Sequence, residues 1–405
     1  MSNSIKTAGF ADLRNAAPGQ QPFLTPTTVA HAAFIPTGIV TVLLGPVLPS
    51  LSAQWGLTDA QAGELFTAQF LASTIGVASS GALVPRLGYK VVIVLGLIFM
   101  AIGVGALPIG SRLMGTAAVA CYGVGLGLTI PACNLLVAEV NPANRASAVS
   151  LLNFSWSIGA VACPFLLAPF QRRGNLSDFF FLVAGFVALI SLLLARASFP
   201  PPSRQQEASP QAQRSVLEML RSPVAIALGI LFFVYVGTEN AMGGWLASYA
   251  KRLSQNPGTL WVTVPSFFYA GLLAGRALAP LVLRSMTEVR LARASMAFAL
   301  AGMLALLASR SLPGVMITAT VIGLGLAAIY PITISFLSSN FGTGATRLGS
   351  IMFMLASFGA ACMPWLVGVI STQTASLKVG LSVPLVGSVL MLILYARSWQ
   401  TSPGP

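Results

Sequence analysis

The stretch Val91-Val-Ile-Val-Leu-Gly-Leu-Ile-Phe-Met-Ala-Ile-Gly-Val-Gly-Ala-Leu107 contains no charged residue. Comparable apolar runs recur at Phe179–Ala195 and Val379–Tyr395. About twenty apolar residues in a helix cross the roughly 30 Å hydrocarbon core of a bilayer. The runs lack the polar–apolar alternation of barrel strands, and a helix satisfies its own backbone polar groups in lipid. They therefore predict membrane-spanning α-helices.

The composition of the whole chain agrees with this class. Of 405 residues, 56% are hydrophobic and 8% are charged, whereas about 25% of residues are charged in an ordinary soluble domain. The net charge of +13 does not indicate nucleic-acid binding, because the basic residues are scattered over short loops and not clustered with exposed aromatic residues. We therefore expect the lipid bilayer as the environment and no nucleic acid as a partner.

The chain divides into two halves at a polar, proline-rich stretch. We expect an all-α membrane protein with about twelve transmembrane helices in two six-helix bundles. The expected spans are 31–54, 64–84, 91–111, 114–140, 147–168, 178–197, 223–250, 259–283, 293–309, 313–339, 348–370 and 378–397. The expected domains are a cytoplasmic tail (1–27), a first bundle (28–197), a cytoplasmic linker (198–222), a second bundle (223–397) and a cytoplasmic tail (398–405).

An internal repeat supports the division into halves. At an offset of 200 residues, the sequence GVGL at 123–126 matches GLGL at 323–326, and SIGA at 157–160 matches SFGA at 357–360. Parallel six-helix repeats are typical of major facilitators. With the N-terminus inside, fourteen Lys and Arg fall on the cytoplasmic side and seven on the other. This bias predicts cytoplasmic termini in a plasma (inner) membrane protein.

Three segments carry a family resemblance. Residues 232–249 (FFVYVGTENAMGGWLASY) contain a Tyr-x-Gly-x-Glu pattern followed by Gly and Tyr, residues 266–276 read Ser-Phe-Phe through Gly-Arg, and residues 323–331 run from Gly to Tyr-Pro. Together they resemble the fucose-permease and glucose:proton symporter branch of the major facilitator superfamily. The resemblance implies a secondary transporter of a small solute that works by alternating access and needs no cofactor.

The first half departs from that branch. The loop motif at 81–90 carries Pro85 where the superfamily has Asp, and Ile130 stands where fucose permeases carry an acid. The branch's proton and sugar chemistry in this half therefore does not carry over. From the motif we still expect a cytoplasmic charge cluster that latches the outward-open state, formed by Arg86, Glu139 and Arg145.

Glu239 is the one carboxylate that falls deep inside a predicted span. An ionised carboxylate at that depth costs roughly 2.5–3.5 kcal/mol on insertion scales unless it is protonated or paired. Glu239 is therefore either a protonatable coupling or substrate-binding group, which we favour, or a structural acid bonded to a neighbouring helix. Tyr235 lies on the same helical face, and Asn240 flanks it.

Arg276 is the deep cation, and its pairing with Glu239 stays open, since counting residues separates the two backbones by roughly 10 Å along the membrane normal. Four other intramembrane side chains suit hydrogen bonding to a polar solute or stacking on it, or else they bond and pack between helices. These are Asn134, Asn153, Trp156 and Tyr330.

The sequence shows neither a catalytic constellation, nor metal-ligand spacing, nor a phosphate-binding loop, so we expect neither an enzyme nor a cofactor. The leading hypothesis is a monomeric secondary transporter that moves a small solute, such as a sugar or similar polar metabolite, with a coupling proton. Two alternatives remain: proton-driven efflux of apolar or amphipathic compounds, and a non-transporting receptor on the same fold.

Overall fold

The computed structural model describes residues 25–142, 145–197, 219–254, 258–341 and 345–396. Most of the predicted tails and linker lies outside these ranges. Within them the chain is helical and contains no strand. The helices are α1 (Pro26–Val42), α2 (Leu44–Trp55), α3 (Asp59–Ala106), α4 (Arg112–Val140), α5 (Arg145–Arg173), α6 (Leu176–Arg196), α7 (Pro223–Leu253), α8 (Val264–Val282), α9 (Glu288–Ala308), α10 (Leu312–Leu326), α11 (Ile329–Phe341), α12 (Ala345–Thr374), α13 (Leu377–Gly380) and α14 (Ser382–Ala396).

The predicted number of about twelve spans is confirmed approximately, because the exact number depends on how bent helices are counted. Ten helical segments of the described chain are long and apolar enough to cross a membrane, and the pair α1–α2, bent by 41°, makes eleven. Helix α3 has 48 residues and is about 72 Å long if straight, more than twice the hydrocarbon thickness. It therefore supplies both the second and third spans, which brings the total to about twelve.

The helices differ from the predicted spans in detail. The sequence predicted a loop between residues 84 and 91, but the helix continues on both sides of a single non-helical residue, Gly88, at φ 78° and ψ 162°. Glycine adopts this positive φ at no steric cost, so one residue is enough to redirect the chain. The tenth predicted span, 313–339, is confirmed as one membrane-length segment, Leu312–Phe341, which contains the two helices α10 and α11. Helix α1 begins at Pro26, inside the predicted N-terminal tail.

The sequence repeat is also a packing repeat. A Cβ atom on Gly159 would lie 2.0 Å from the carbonyl oxygen of Ile35 in α1, and one on Gly359 would lie 1.9 Å from that of Phe233 in α7. Both repeat glycines thus allow backbone contact with the first helix of their own half. The same glycine positions recur because any side chain there would force the two helices apart.

The two halves, α1–α6 and α7–α14, are held together at one face of the molecule, which we call the closed face. It is defined by Pro49, Asp59, Lys251, Arg252 and Ser371. Arg252 Nη2 lies 2.5 Å from Asp59 Oδ1, and Ser371 Oγ donates to the other oxygen of Asp59 at 2.5 Å. Lys251 Nζ donates to the carbonyl oxygen of Pro49 at 3.4 Å. One carboxylate of the first half therefore accepts from two helices of the second.

Backbone contact reinforces the closed face. A Cβ atom on Gly45 of α2 would lie 2.7 Å from the carbonyl oxygen of Gly243 and 3.1 Å from the Cα atom of Gly244, both in α7. Farther from this face, Thr67 donates to the carbonyl oxygen of Ala361 at 3.0 Å. The halves thus meet along adjoining stretches of α2, α3, α7 and α12.

Candidate functional site

The structure brings Glu239 of α7 and Arg276 of α8 together. Nη2 of Arg276 lies 3.6 Å from Oε1 of Glu239, and their side chains keep 25% and 14% of their surface accessible. The long arginine side chain closes the axial gap that residue counting gave. At 3.6 Å the contact is an ion pair without the short distance of a normal N–H···O hydrogen bond. The pair therefore borders space that a water-sized group reaches.

Tyr235 lies one helical turn from Glu239 and belongs to the same cluster. Its hydroxyl interacts electrostatically with both the carboxylate of Glu239 and the guanidinium of Arg276. The side chain is 1% exposed, and its hydroxyl makes no hydrogen bond of standard geometry with any residue that the structure describes. A buried hydroxyl in this condition loses free energy relative to water.

Aromatic rings enclose this cluster. The ring of Tyr330 in α11 stacks on that of Tyr235, with centroids 5.9 Å apart and planes 29° apart. Phe232 packs edge-on against Tyr330 at 5.9 Å. The resulting wall is apolar in its ring faces and polar at its hydroxyl tips, a combination suited to a small solute with both kinds of surface.

Tyr269 and Trp156 connect the cluster to the first half. The hydroxyl of Tyr269 in α8 interacts electrostatically with Glu239. Its ring meets that of Trp156 in α5 edge-on, with centroids 6.4 Å apart. Tyr269 was not among the predicted site residues. The missed signal is its spacing of seven residues from Arg276, which places both on one face of α8.

A hydrogen-bond network continues from Trp156 into the first half. Nε1 of Trp156 donates to Oγ1 of Thr41 at 3.2 Å, and Nε2 of Gln69 donates to the carbonyl oxygen of Thr41 at 3.0 Å. Tyr122 in turn donates to Oε1 of Gln69 at 3.1 Å. Thr41, Gln69 and Tyr122 were not predicted. Gln69 carried a usable signal, since it is an amide inside the predicted span 64–84.

The predicted asparagines use their amides elsewhere. Asn153 donates to Oδ1 of Asn134 at 3.4 Å. Asn134, Asn153 and Asn240 each donate at 2.8 Å to the carbonyl oxygen four residues earlier in their own helix. Between described residues, no hydrogen bond joins them to Glu239 or Arg276. Their geometry matches the alternative interpretation, in which these side chains form structural hydrogen bonds between and within helices.

The predicted gating cluster is described only in part, at the side chains of Arg86 and Glu139. Arg86 is exposed and forms no ion pair with any of them. The carboxylate of Glu139 accepts a hydrogen bond from the hydroxyl of Tyr89 at 2.5 Å, while the side chain of Arg145 lies outside the described part. Pro85 explains the difference at Arg86, because no carboxylate stands beside it to hold the guanidinium.

Comparison with known proteins decides the family. The profile of the Major Facilitator Superfamily matches residues 31–364. The chain belongs to this superfamily. Its members are membrane transporters, and the resemblance to the fucose and glucose:proton symporter branch is confirmed.

Individual relatives are distant. The glucose/mannose transporter GlcP of Bacillus subtilis (strain 168) is 23% identical over 353 residues, which cover 84% of this chain and 86% of the relative. The E. coli fucose:proton symporter structure has a TM-score of 0.63 at 19% identity and covers 93% of this chain and 99% of that one. A D-xylose-proton symporter structure has a TM-score of 0.77 at 18% identity, covering 93% and 97%. At these identities the structures establish the fold.

Proposed function

We propose that this superfamily member is a proton-coupled secondary transporter of a small polar metabolite, and that Glu239 carries the coupling proton. The observation that carries the proposal is the Glu239–Arg276 pair, a partly accessible carboxylate and guanidinium at membrane depth beside the stacked rings of Tyr235 and Tyr330. Ionisable side chains in such positions mark substrate and proton pathways. The sugars named for the relatives support a polar solute.

Alternating access supplies the transport cycle. The closed face seals one side of the site, and opening it requires the contacts of Asp59 with Arg252 and Ser371 to break. We place this face outside the cell, both termini in the cytoplasm, and the monomeric protein in the plasma (inner) membrane. The bundles would rock as the predicted units, residues 28–197 and 223–397, about the midplane site.

Glu239 can couple the proton to the solute because its cluster reaches the first half through Tyr269 and Trp156. With the closed face open, the carboxylate takes up a proton from the outer side as the solute binds. After the halves rock, Glu239 releases the proton at the higher cytoplasmic pH and again pairs with Arg276. In the empty site the ionised Glu239 is balanced by Arg276, and in the loaded site Glu239 is protonated. Neither state therefore exposes an unbalanced carboxylate to lipid.

Transport by reconstituted protein tests this proposal. A thermal-shift screen over sugars, polyols, amino acids, organic anions and hydrophobic drugs first finds the solute, since a ligand of the native state raises apparent stability. In proteoliposomes with a pH gradient, Glu239→Gln should abolish accumulation of that solute and leave its exchange measurable.

Glu64→Gln is the matched control. It removes a carboxylate that pairs with Arg112 at 2.5 Å outside the site, with the Glu64 side chain 52% exposed, and it should accumulate solute normally. Unchanged accumulation by Glu239→Gln would remove Glu239 from the mechanism. Hits confined to hydrophobic drugs would replace the proposal with efflux, and absence of flux for every solute would favour the receptor.

A further inference from the structure

The cluster around Glu239 contains more hydrogen-bonding capacity than the described residues use. A guanidinium has five N–H donors, yet the ion pair of Arg276 is a single 3.6 Å contact. The buried hydroxyl of Tyr235 interacts with both members of the pair, yet it makes no hydrogen bond of standard geometry to any described residue. Buried polar groups in native proteins are nearly always satisfied. An acceptor that reaches both the guanidinium of Arg276 and the hydroxyl of Tyr235 would complete their hydrogen bonding.

We infer that the transported solute carries a carboxylate, which binds between the guanidinium of Arg276 and the hydroxyl of Tyr235. This inference rests on the proposed function and names its substrate class. A planar guanidinium matches a carboxylate with two parallel hydrogen bonds, and a tyrosine hydroxyl donates one more. The rings of Tyr235 and Tyr330, stacked at 5.9 Å, then flank the remainder of the solute.

The charges of the site explain why proton and anion would travel together. When the site is empty, ionised Glu239 balances Arg276. When Glu239 is protonated, Arg276 lacks a counter-charge, and a bound carboxylate supplies it. Both states are neutral, whereas the mixed states carry a net charge of one at membrane depth, which is strongly unfavourable. Proton binding thus raises the affinity for the anion, and anion binding raises the affinity for the proton by the same factor.

The other titratable groups around Glu239 do not contribute to this charge balance. The titratable and charged side chains that face it from the packed helices are Tyr235 on α7, Tyr269 and Arg276 on α8 and Tyr330 on α11, with Cys163 on α5 beyond Tyr269. Tyrosine and cysteine are neutral in their ordinary states near pH 7. A neutral sugar, by contrast, would leave Arg276 uncompensated whenever Glu239 is protonated.

Matched pairs of solutes test the inference on the unaltered protein. Binding to purified protein is measured by thermal shift for D-glucuronate against D-glucose, D-gluconate against sorbitol, and benzoate against benzyl alcohol, at pH 6 and pH 8. We expect a carboxylate to bind at least about tenfold tighter than its neutral partner, and more tightly at pH 6, as coupling factors of this kind are on the order of 5–150-fold. Equal binding within every pair would overturn the inference.

Transport in proteoliposomes gives an independent measurement. Symport of one proton with one monoanion moves no net charge, so an imposed membrane potential should leave accumulation unchanged. Symport of a proton with a neutral solute would instead respond by roughly 50-fold per 100 mV. Accumulation of neutral solutes that follows the potential would refute the carboxylate and leave the proposed transporter standing, whereas no accumulation of any solute would refute the proposed function.

Variants then assign the contacts. Arg276→Gln should lose carboxylate binding, Arg276→Lys should retain part of it, and Tyr235→Phe should weaken it by about fivefold through one lost hydrogen bond. Glu239→Gln should bind the carboxylate equally at pH 6 and pH 8. Arg112→Gln, at an exposed pair, should bind as the wild type does. Full carboxylate binding by folded Arg276→Gln would contradict the assignment.

Discussion

Two carboxylate–guanidinium pairs of this protein differ in closeness, in depth and in what surrounds them. Arg252 and Asp59 join the two halves at 2.5 Å, with side-chain exposures of 47% and 16%, so that the contrast with the deep pair lies in the arginine. Arg276 and Glu239 join two helices of one half at 3.6 Å, with exposures of 25% and 14%. The shorter contact lies where solvent competes, and the longer one lies at membrane depth.

The comparison teaches that closeness does not rank importance. Exposed pairs contribute about 0–1 kcal/mol, because water replaces the partner that is lost. The deep pair is only partly accessible to water, and removing one partner leaves a charge that is poorly solvated. The closed-face pair is therefore suited to break in every transport cycle, and the deep pair is suited to exchange one partner for a ligand.

The largest expected effect comes from removing one arginine of each pair. Arg276→Ala should destabilise the protein by about 3–5 kcal/mol, since it leaves Glu239 without its counter-charge, whereas Arg252→Ala should cost about 1 kcal/mol or less. Thermal unfolding of the two variants in the same detergent measures the difference.

A double variant separates charge from packing at the deep site. If the uncompensated carboxylate causes the loss, adding Glu239→Gln to Arg276→Ala should recover most of the stability. A double variant as unstable as Arg276→Ala alone would mean that the arginine acts by packing. Equal losses for Arg276→Ala and Arg252→Ala would remove the distinction between the pairs.

An intermediate effect is expected from a substitution at the backbone contact between α2 and α7, which closes the face without charged groups. In Gly45→Ala the new methyl group would meet the carbonyl oxygen of Gly243 at 2.7 Å, so α2 and α7 must separate, at about 1–3 kcal/mol for overpacking of this kind. The variant should shift the protein toward opening of the closed face, seen as faster labelling of a cysteine introduced at Ser248, a buried residue of α7 one turn from Gly244. The native cysteines are replaced for this measurement.

Gly81 provides the control for this substitution. A Cβ atom there meets nothing within 4 Å, and alanine in a helix is about 0.5–1 kcal/mol more favourable than glycine. Gly81→Ala should therefore leave labelling unchanged and stability equal or slightly higher. Unchanged labelling in Gly45→Ala as well would show that the halves do not part at this contact.

The fold was predictable from the sequence because its signals are local. Apolar runs of membrane length predicted the spans, and the repeat predicted the paired halves. The break at Gly88 was not predictable as a single residue, since Pro85 and Gly88 together are typical of a loop. Only the packed structure shows that helix continues on both sides.

The site was predictable in its charges and not in its contacts. Glu239 and Arg276 were evident because a charge within an apolar run has few structural reasons to be there. Their pairing depends on helix tilt and on the reach of a long side chain, which counting residues does not give. The backbone hydrogen bonds of Asn134 and Asn153 were not predictable, because residue type does not reveal that an amide already bonds its own helix. Their part in solute binding stays a prediction.

The smallest effect is expected at the closed-face pair, where it should change conformation more than stability. Asp59→Asn keeps the size of the side chain and removes the charge that attracts Arg252. A loss of about 1 kcal/mol would raise the open population about fivefold. This population is measured by double electron–electron resonance between spin labels at the exposed residues Gln54 of α2 and Gln373 of α12. The native cysteines are replaced beforehand.

Glu64→Gln distinguishes a latch from any loss of surface charge. Glu64 and Arg112 also lie 2.5 Å apart and are 52% and 41% exposed, but both belong to the first half. If Asp59 latches the halves, Asp59→Asn should lengthen the distance between the labels and Glu64→Gln should not. If the two variants give the same distribution, the pair at the closed face is an ordinary surface contact, and closure rests on the glycine contacts of α2 with α7.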